Sequence, residues 1–179
     1  MTNPLIILDR DGVINYDSDY YIKSPDEWLP IPGSLTAIAQ LNRAGYRVVI
    51  ATNQSGVARG LYDLDTLSQI HEKFIRELAA VGGYIEEIFF CPHHPAQNCD
   101  CRKPKLGMFR QIQAKYGVDL SDTFFIGDAF TDVQVARAVP CKPILVLTGK
   151  GQQALDQHPE LAAVPHFADL AEAVRYILA

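Results

Sequence analysis

Apolar positions along the chain fall into two alternating patterns. Short, nearly unbroken apolar runs occur at residues 5–9, 46–51, 84–90, 123–126 and 143–147. Runs of this length read as strands buried on both faces, as in a parallel sheet. Between them, apolar residues recur every three or four positions, the period of a helix packed on one side. The stripe of Leu35, Ile38, Ala39 and Leu41 predicts a helix over 34–43, with Ser34 as its N-cap and Gly45 as its stop. Leu64, Leu67, Ile70, Phe74 and Leu78 predict a longer helix capped by Asp63 and ended by Gly82-Gly83. Further helices are predicted over 106–116, from the Gly127–Asp132 stretch to about Val139, over 151–157 and over 168–178. Residues 13–32, interrupted by Pro25, Pro30 and Pro32, read as an irregular excursion. Strands alternating with helices predict an α/β fold with a Rossmann-like, mainly parallel sheet flanked by helices, in one domain over residues 1–179.

Composition narrows the class. The 179 residues are 48% hydrophobic and 21% charged, ordinary values for a soluble globular chain. No apolar stretch reaches the roughly 20 residues that a spanning helix needs. The first residues carry no basic segment, so no signal peptide is expected and the cytosol is the expected compartment. A net charge of −5 with scattered basic residues argues against nucleic acid as the partner. A monomer is the default expectation. Three of the four cysteines (Cys91, Cys99, Cys101) crowd into a short stretch with His93 and His94, which favours a metal over a disulfide framework.

The strand ends carry the candidate chemistry. Asp9 and Asp11 follow the first run, Thr52-Asn53-Gln54-Ser55-Gly56 follows the second, and Gly127-Asp128 with Asp132 follows the fourth. In a parallel sheet these carboxyl ends share one edge, where ligands bind. On an extended chain Asp9 and Asp11 face one side and Arg10 faces away. Asp9 and Asp128, with Asp132 as a further candidate, make an all-oxygen site suited to Mg²⁺. A carboxylate can also attack phosphorus. Thr52, backbone N–H groups near Gly12 and Asn53, and a lysine from 103–105 could then hold the phosphoryl oxygens.

Asp9-Arg10-Asp11-Gly12-Val13, Thr52 after a strand, a lysine before a helix, and Gly127-Asp128 with Asp132 resemble, in that order, the four motifs of the haloacid dehalogenase superfamily of phosphohydrolases. The resemblance implies such a fold without a large cap domain. It implies Asp9 as nucleophile and Asp11 as general acid–base. Mg²⁺ would lie between the Asp9 carboxylate, the Asp11 backbone carbonyl and Asp128, with Thr52 and a lysine on the transferring phosphoryl group.

Cys91-Pro92-His93-His94 and Cys99-Asp100-Cys101 offer two ligand pairs at i and i+2. The set Cys91, His93, Cys99, Cys101 has the composition of a structural Zn²⁺ site, His93 being preferred to His94 because its spacing mirrors the Cys99/Cys101 pair. Such a clip over 91–103 would aim Arg102 and Lys103 at the catalytic edge. Together with Ala58-Arg59-Gly60 and Cys101-Arg102-Lys103-Pro104, these motifs look like the heptose bisphosphate 7-phosphatases. Two departures stand out: a short loop between His93 and Cys99, and Val13 where Thr is often found. This resemblance implies a small phosphorylated sugar as substrate, Lys103 as the phosphoryl-stabilising lysine and Arg102 as a substrate-recognition residue. It also implies substrate contacts from Asp17, Ser18, Asp19 and Tyr20 and from Thr52, Asn53, Gln54 and Ser55. Histidinol phosphate is the competing substrate, and an inert zinc-containing interaction module the competing class. The roles of Arg59 and Asp132 stay open.

Overall fold

A computed structural model describes residues 3–179; the first two residues, and with them the start of the expected domain and of the leader reading, lie outside it. Six strands, β1 (Leu5–Leu8), β2 (Arg47–Asn53), β3 (Glu87–Cys91), β4 (Phe124–Gly127), β5 (Lys142–Val146) and β6 (His166–Phe167), form one sheet in the order β3-β2-β1-β4-β5-β6. Every pairing is parallel, and β1 sits between β2 and β4 with Ile6 opposite Val48 and Phe124. Six helices cover the sheet: α1 (Ser34–Arg43), α2 (Leu64–Ala80), α3 (Gly107–Tyr116), α4 (Phe130–Ala138), α5 (Gly151–Gln157) and α6 (Leu170–Leu178).

All four residues of β1 are buried, which explains its unbroken apolar run. Ile6 and Leu8 pack with α1, α2 and α6, while Leu5 and Ile7 pack with α3 and α4. Two helical layers thus sandwich the sheet. Each fully buried aliphatic side chain contributes about 1.5–3 kcal/mol.

The differences from expectation lie at element ends. Gly33, in the left-handed region at φ 84°, caps α1, and Ser34 sits in the first turn. The Ser34 hydroxyl donates instead to the Ile14 carbonyl at 2.6 Å, tying the proline-rich stretch to the helix. Strand β2 runs on through Asn53, and β3 begins three residues late but reaches Cys91. Two-residue β6 is too short for an apolar pattern to reveal. Within the irregular stretch, Trp28 is wholly buried, and Lys73 of α2 donates to the Pro25 and Trp28 carbonyls at 2.8 Å each.

Candidate active site

Five strand ends meet at one edge of the sheet and surround a cleft of about 290 Å³. Asp9 follows β1, and its N–H continues the ladder to Ile126 of β4. The chain then turns tightly, with the Arg10 carbonyl accepting the Ile14 N–H at 2.8 Å. Gly12 stands at φ 78°, and a Cβ there would lie 2.0 Å from the Asp128 carboxylate. The same carboxylate would meet a Cβ on Gly149 at 2.2 Å, so this close approach requires glycine on both loops.

Arg10 stays out of the cleft, as an extended chain would place it, but it does not reach solvent: its guanidinium is wholly buried and curls back to Asp11, Nε at 3.0 Å and Nη2 at 2.8 Å from Oδ1. The chain leaves extended geometry after Leu8, and a buried cation needs a partner. Asn15 and Gln54 also donate to Asp11, at 2.9 Å each. Burial raises the Asp11 pKa, but Arg10 and these hydrogen bonds outweigh it, and the carboxyl is held below its ordinary value.

Lys103 is the lysine that enters the cleft. Its ammonium lies 3.1 Å from Asp9 Oδ2 and 2.8 Å from Asp132 Oδ1, both ion pairs being almost fully buried. Burial alone would lower its pKa; the two carboxylates more than reverse this and keep it charged. Lys105 turns outward to Asn98. Burial pushes the Asp9 carboxyl up to about 7, Asp132 and Asp11 adding to the effect and Lys103 opposing it. Asp128 is likewise raised by burial and by Asp9 and Asp132. Carboxylate oxygens of Asp9, Asp128 and Asp132 lie within 4.8 Å of one another. Asp132 is already engaged by Lys103 and by the N–H groups of Asp128 and Ala129. Asp9 and Asp128 therefore remain as the crowded pair whose repulsion a hard divalent cation such as Mg²⁺ would relieve. The residues fit that ion.

Register explains how the cysteine loop reaches this edge. Asn53 pairs with Cys91 at the ends of β2 and β3. From there Asn53 brackets the Lys103 backbone, its Oδ1 accepting the N–H at 3.0 Å and its Nδ2 donating to the carbonyl at 3.2 Å. Ligand atoms of Cys91, His93, Cys99 and Cys101 also lie within 4.8 Å of one another, with His93 Nδ1 3.1 Å from Cys101 Sγ. Three thiols and one imidazole converging this way fit a tetrahedral zinc ion. His94 points elsewhere: its Nδ1 accepts the Ala96 N–H and caps the short turn Pro95–Gln97.

Of the residues expected at the site, Asp9, Asp11, Asp17, Ser18, Asp19, Thr52, Asn53, Gln54, Ser55, Arg102, Lys103 and Asp128 all line the cleft. Tyr20 does not; it is 82% exposed, and the chain twists at Tyr21 (φ 68°) so that Tyr21 lines the cleft instead. The side chain of Gln54 is spent internally, on Asp11 and Thr52 through Nε2 and on Tyr62 and Arg10 through Oε1. Arg102 Nη1 is buried with no hydrogen-bond partner among the described residues. Arg59 also lines the cleft, its guanidinium 5.7 Å from the centre of the Tyr21 ring. Sequence reasoning missed the loop after β5, where Thr148 donates to the Gly12 carbonyl at 2.6 Å and Lys150 N–H donates to Asp128 at 2.9 Å. The available signal was a small polar, glycine-containing stretch after a fifth apolar run.

The HAD-hydrolase-like family profile matches residues 100–173. A D-glycero-beta-D-manno-heptose-1,7-bisphosphate 7-phosphatase of Pseudomonas aeruginosa is 53% identical over 179 residues, covering 99% of both chains. One of Bordetella bronchiseptica is 55% identical over 153 residues, 86% of each. The crystal structure of D,D-heptose 1.7-bisphosphate phosphatase from B. bronchiseptica, complexed with magnesium and phosphate, superimposes with a TM-score of 0.95 at 50% identity, covering 98% of each chain. That from Burkholderia thailandensis gives 0.78 at 43%, covering 98% of this chain and 99% of that one. By identity across nearly the whole length of such relatives, the chain belongs to the HAD-like hydrolases, in the family of the D-glycero-beta-D-manno-heptose-1,7-bisphosphate 7-phosphatases.

Proposed function

We propose that the chain removes the C7 phosphate of D-glycero-β-D-manno-heptose 1,7-bisphosphate, leaving the 1-phosphate for nucleotide-heptose synthesis. The observation that carries this reading is the pairing of Lys103 with Asp9 in one cleft with Arg102, whose buried Nη1 has no hydrogen-bond partner among the described residues. Asp9 Oδ2 attacks phosphorus, the bond from phosphorus to the C7 oxygen breaks, and an aspartyl phosphate forms as the C7 alkoxide departs. Asp11 gives a proton to the departing alkoxide, then takes one from the water that hydrolyses the intermediate. Thr52 and Lys103 hold the equatorial oxygens, with the N–H groups of Asp11 and of Asn53 as further donors. Arg102 suits a second phosphate, because a guanidinium fork matches its oxygens bidentately.

Asp9, the Asp11 carbonyl and Asp128 would hold Mg²⁺, which supplies positive charge against the phosphoryl oxygens and screens the two carboxylates. Cys91, His93, Cys99 and Cys101 would hold a structural Zn²⁺ that fixes the loop bearing Arg102 and Lys103. Cleft residues Asp17, Ser18 and Asp19 are positioned to meet sugar hydroxyls, as is Ser55. No helix among the described residues is long and apolar enough to cross a membrane. A one-domain, monomeric, cytoplasmic enzyme that binds no nucleic acid is the matching molecular state.

Phosphorus NMR of the bisphosphate digest tests the reading alongside kinetics on histidinol phosphate. Loss of the C7 signal with the C1 signal kept is the expected result. Release from C1, or faster turnover of histidinol phosphate, overturns it.

A further inference from the structure

Behind Asp11 lies a buried polar chain that the mechanism above leaves unused. Arg10 is wholly buried and takes no part in lining the cleft. Its Nε and Nη2 both meet Asp11 Oδ1, its Nη2 also donates to Gln54 Oε1 at 3.3 Å, and its Nη1 lies 3.0 Å from His71 Nε2. A guanidinium has only donors, so that ring nitrogen is the acceptor and the imidazole is neutral. His71 is itself buried on α2, with the Phe90 ring 6.2 Å away. Tyr62 completes the chain by donating to Gln54 Oε1 at 2.7 Å, which orients the Gln54 amide so that Nε2 faces Asp11 and Thr52.

These contacts divide the two oxygens of Asp11. Oδ1 receives three hydrogen bonds, from Arg10 Nε, Arg10 Nη2 and Asn15 Nδ2. Oδ2 receives one, from Gln54. An oxygen with its lone pairs already committed is a poor proton carrier, whereas Oδ2 keeps capacity for one. We propose that Arg10, His71, Gln54 and Tyr62 are positioning residues that lock Asp11 so that Oδ2 alone carries the proton to the leaving group and from the attacking water. The inference rests on the reading of Asp11 as the proton carrier. His71 acts at one remove: by accepting from Nη1 it fixes the guanidinium plane, and that plane sets the carboxylate's rotation.

Leaving-group dependence separates aim from mere stability. In the first step an alkoxide needs a proton and an aryl oxide does not, so kcat/KM on heptose bisphosphate and on p-nitrophenyl phosphate should diverge when Asp11 is misaimed. Asp11→Asn sets the full effect. For His71→Leu the ratio of the two kcat/KM values is expected to fall about tenfold, a part of the hundredfold or more that general acid catalysis provides. His71→Gln, which restores an acceptor, should recover the ratio to within about threefold of wild type. Tyr62→Phe, which loses only a hydroxyl, keeps the test available if His71→Leu does not fold, and should shift the ratio in the same direction. Equal loss on both substrates in the His71 and Tyr62 variants, or no loss, with Asp11→Asn still discriminating, overturns the inference alone. If Asp11→Asn itself loses both equally, Asp11 is not the acid and the inference falls with that reading.

Discussion

Lys103 and Arg10 are both buried cations, yet they serve opposite ends of the site. Lys103 neutralises Asp9 and Asp132 from within the cleft, while Arg10 binds Asp11 from behind it. Asp9, Asp11, Thr52 and Asp128 were legible because each closes or follows an apolar strand run, and Lys103 because its Cys101-Arg102-Lys103-Pro104 setting matches a family motif. His71 carried a quieter sign: it lies four residues after Leu67 and three before Phe74, within the apolar stripe of α2, and a polar residue there has to find a buried partner. Its pKa is lowered to about 3, by burial first and by Arg10 second. A histidine kept neutral in the fold contributes stability that is complete above its unfolded value near 6.5 and fades as acid protonates the unfolded chain. Relative to His71→Leu, the wild type should therefore lose about 2 kcal/mol of its stability difference between pH 7 and pH 5. Urea unfolding of both proteins at the two pH values measures this, and a difference that does not move with pH would speak against the neutral buried ring.

Among the elements, the cysteine loop depends most on something other than apolar packing. Its ligand spacing was visible in the sequence; its place beside Asn53 was not, because that follows from β2 and β3 each running further than their apolar cores predict. The bracket that Asn53 puts on the Lys103 backbone then depends on the loop keeping its shape. Cys99→Ser is expected to drop bound zinc from about one per chain toward none, and to cut kcat by about tenfold or more through displacement of Arg102 and Lys103. Elemental analysis beside steady-state kinetics reads both, and full activity in zinc-free protein would disconnect the loop from the site. The short turns and β6 escaped the sequence reading for another reason: two to five residues are too few for any period to show.

At the scale of the whole molecule, the crowding of Asp9 and Asp128 makes metal binding a contribution to stability. An ion that binds only the folded form at a hundred times its dissociation constant adds about 2.7 kcal/mol, or a rise of roughly 5–10 °C in Tm for a chain of this size. Mg²⁺ should produce that rise in the wild type and little of it in Asp128→Asn, by calorimetry on chelator-treated protein. An equal rise in both would place the ion elsewhere. The alternation of strands and helices made the class of fold readable from sequence. Strand order was not, since it is set by long-range pairing that leaves no local trace.

That order has a consequence for how the chain is made. Leu5–Leu8 occupies the middle of the sheet, but its partner on one side, β4, begins only at Phe124. At synthesis rates of 5–20 residues per second, this wholly apolar strand leaves the ribosome roughly 6–25 seconds before that neighbour exists. β2 can cover one edge early; the other stays open, a ready template for pairing with a second nascent chain. Asp9 and Asp11 wait with it. Asp9 is thus among the first cleft residues synthesised and among the last to gain its setting, so any slowing of translation before residue 124 would tell first on yield, through aggregation, rather than on the activity of the molecules that finish.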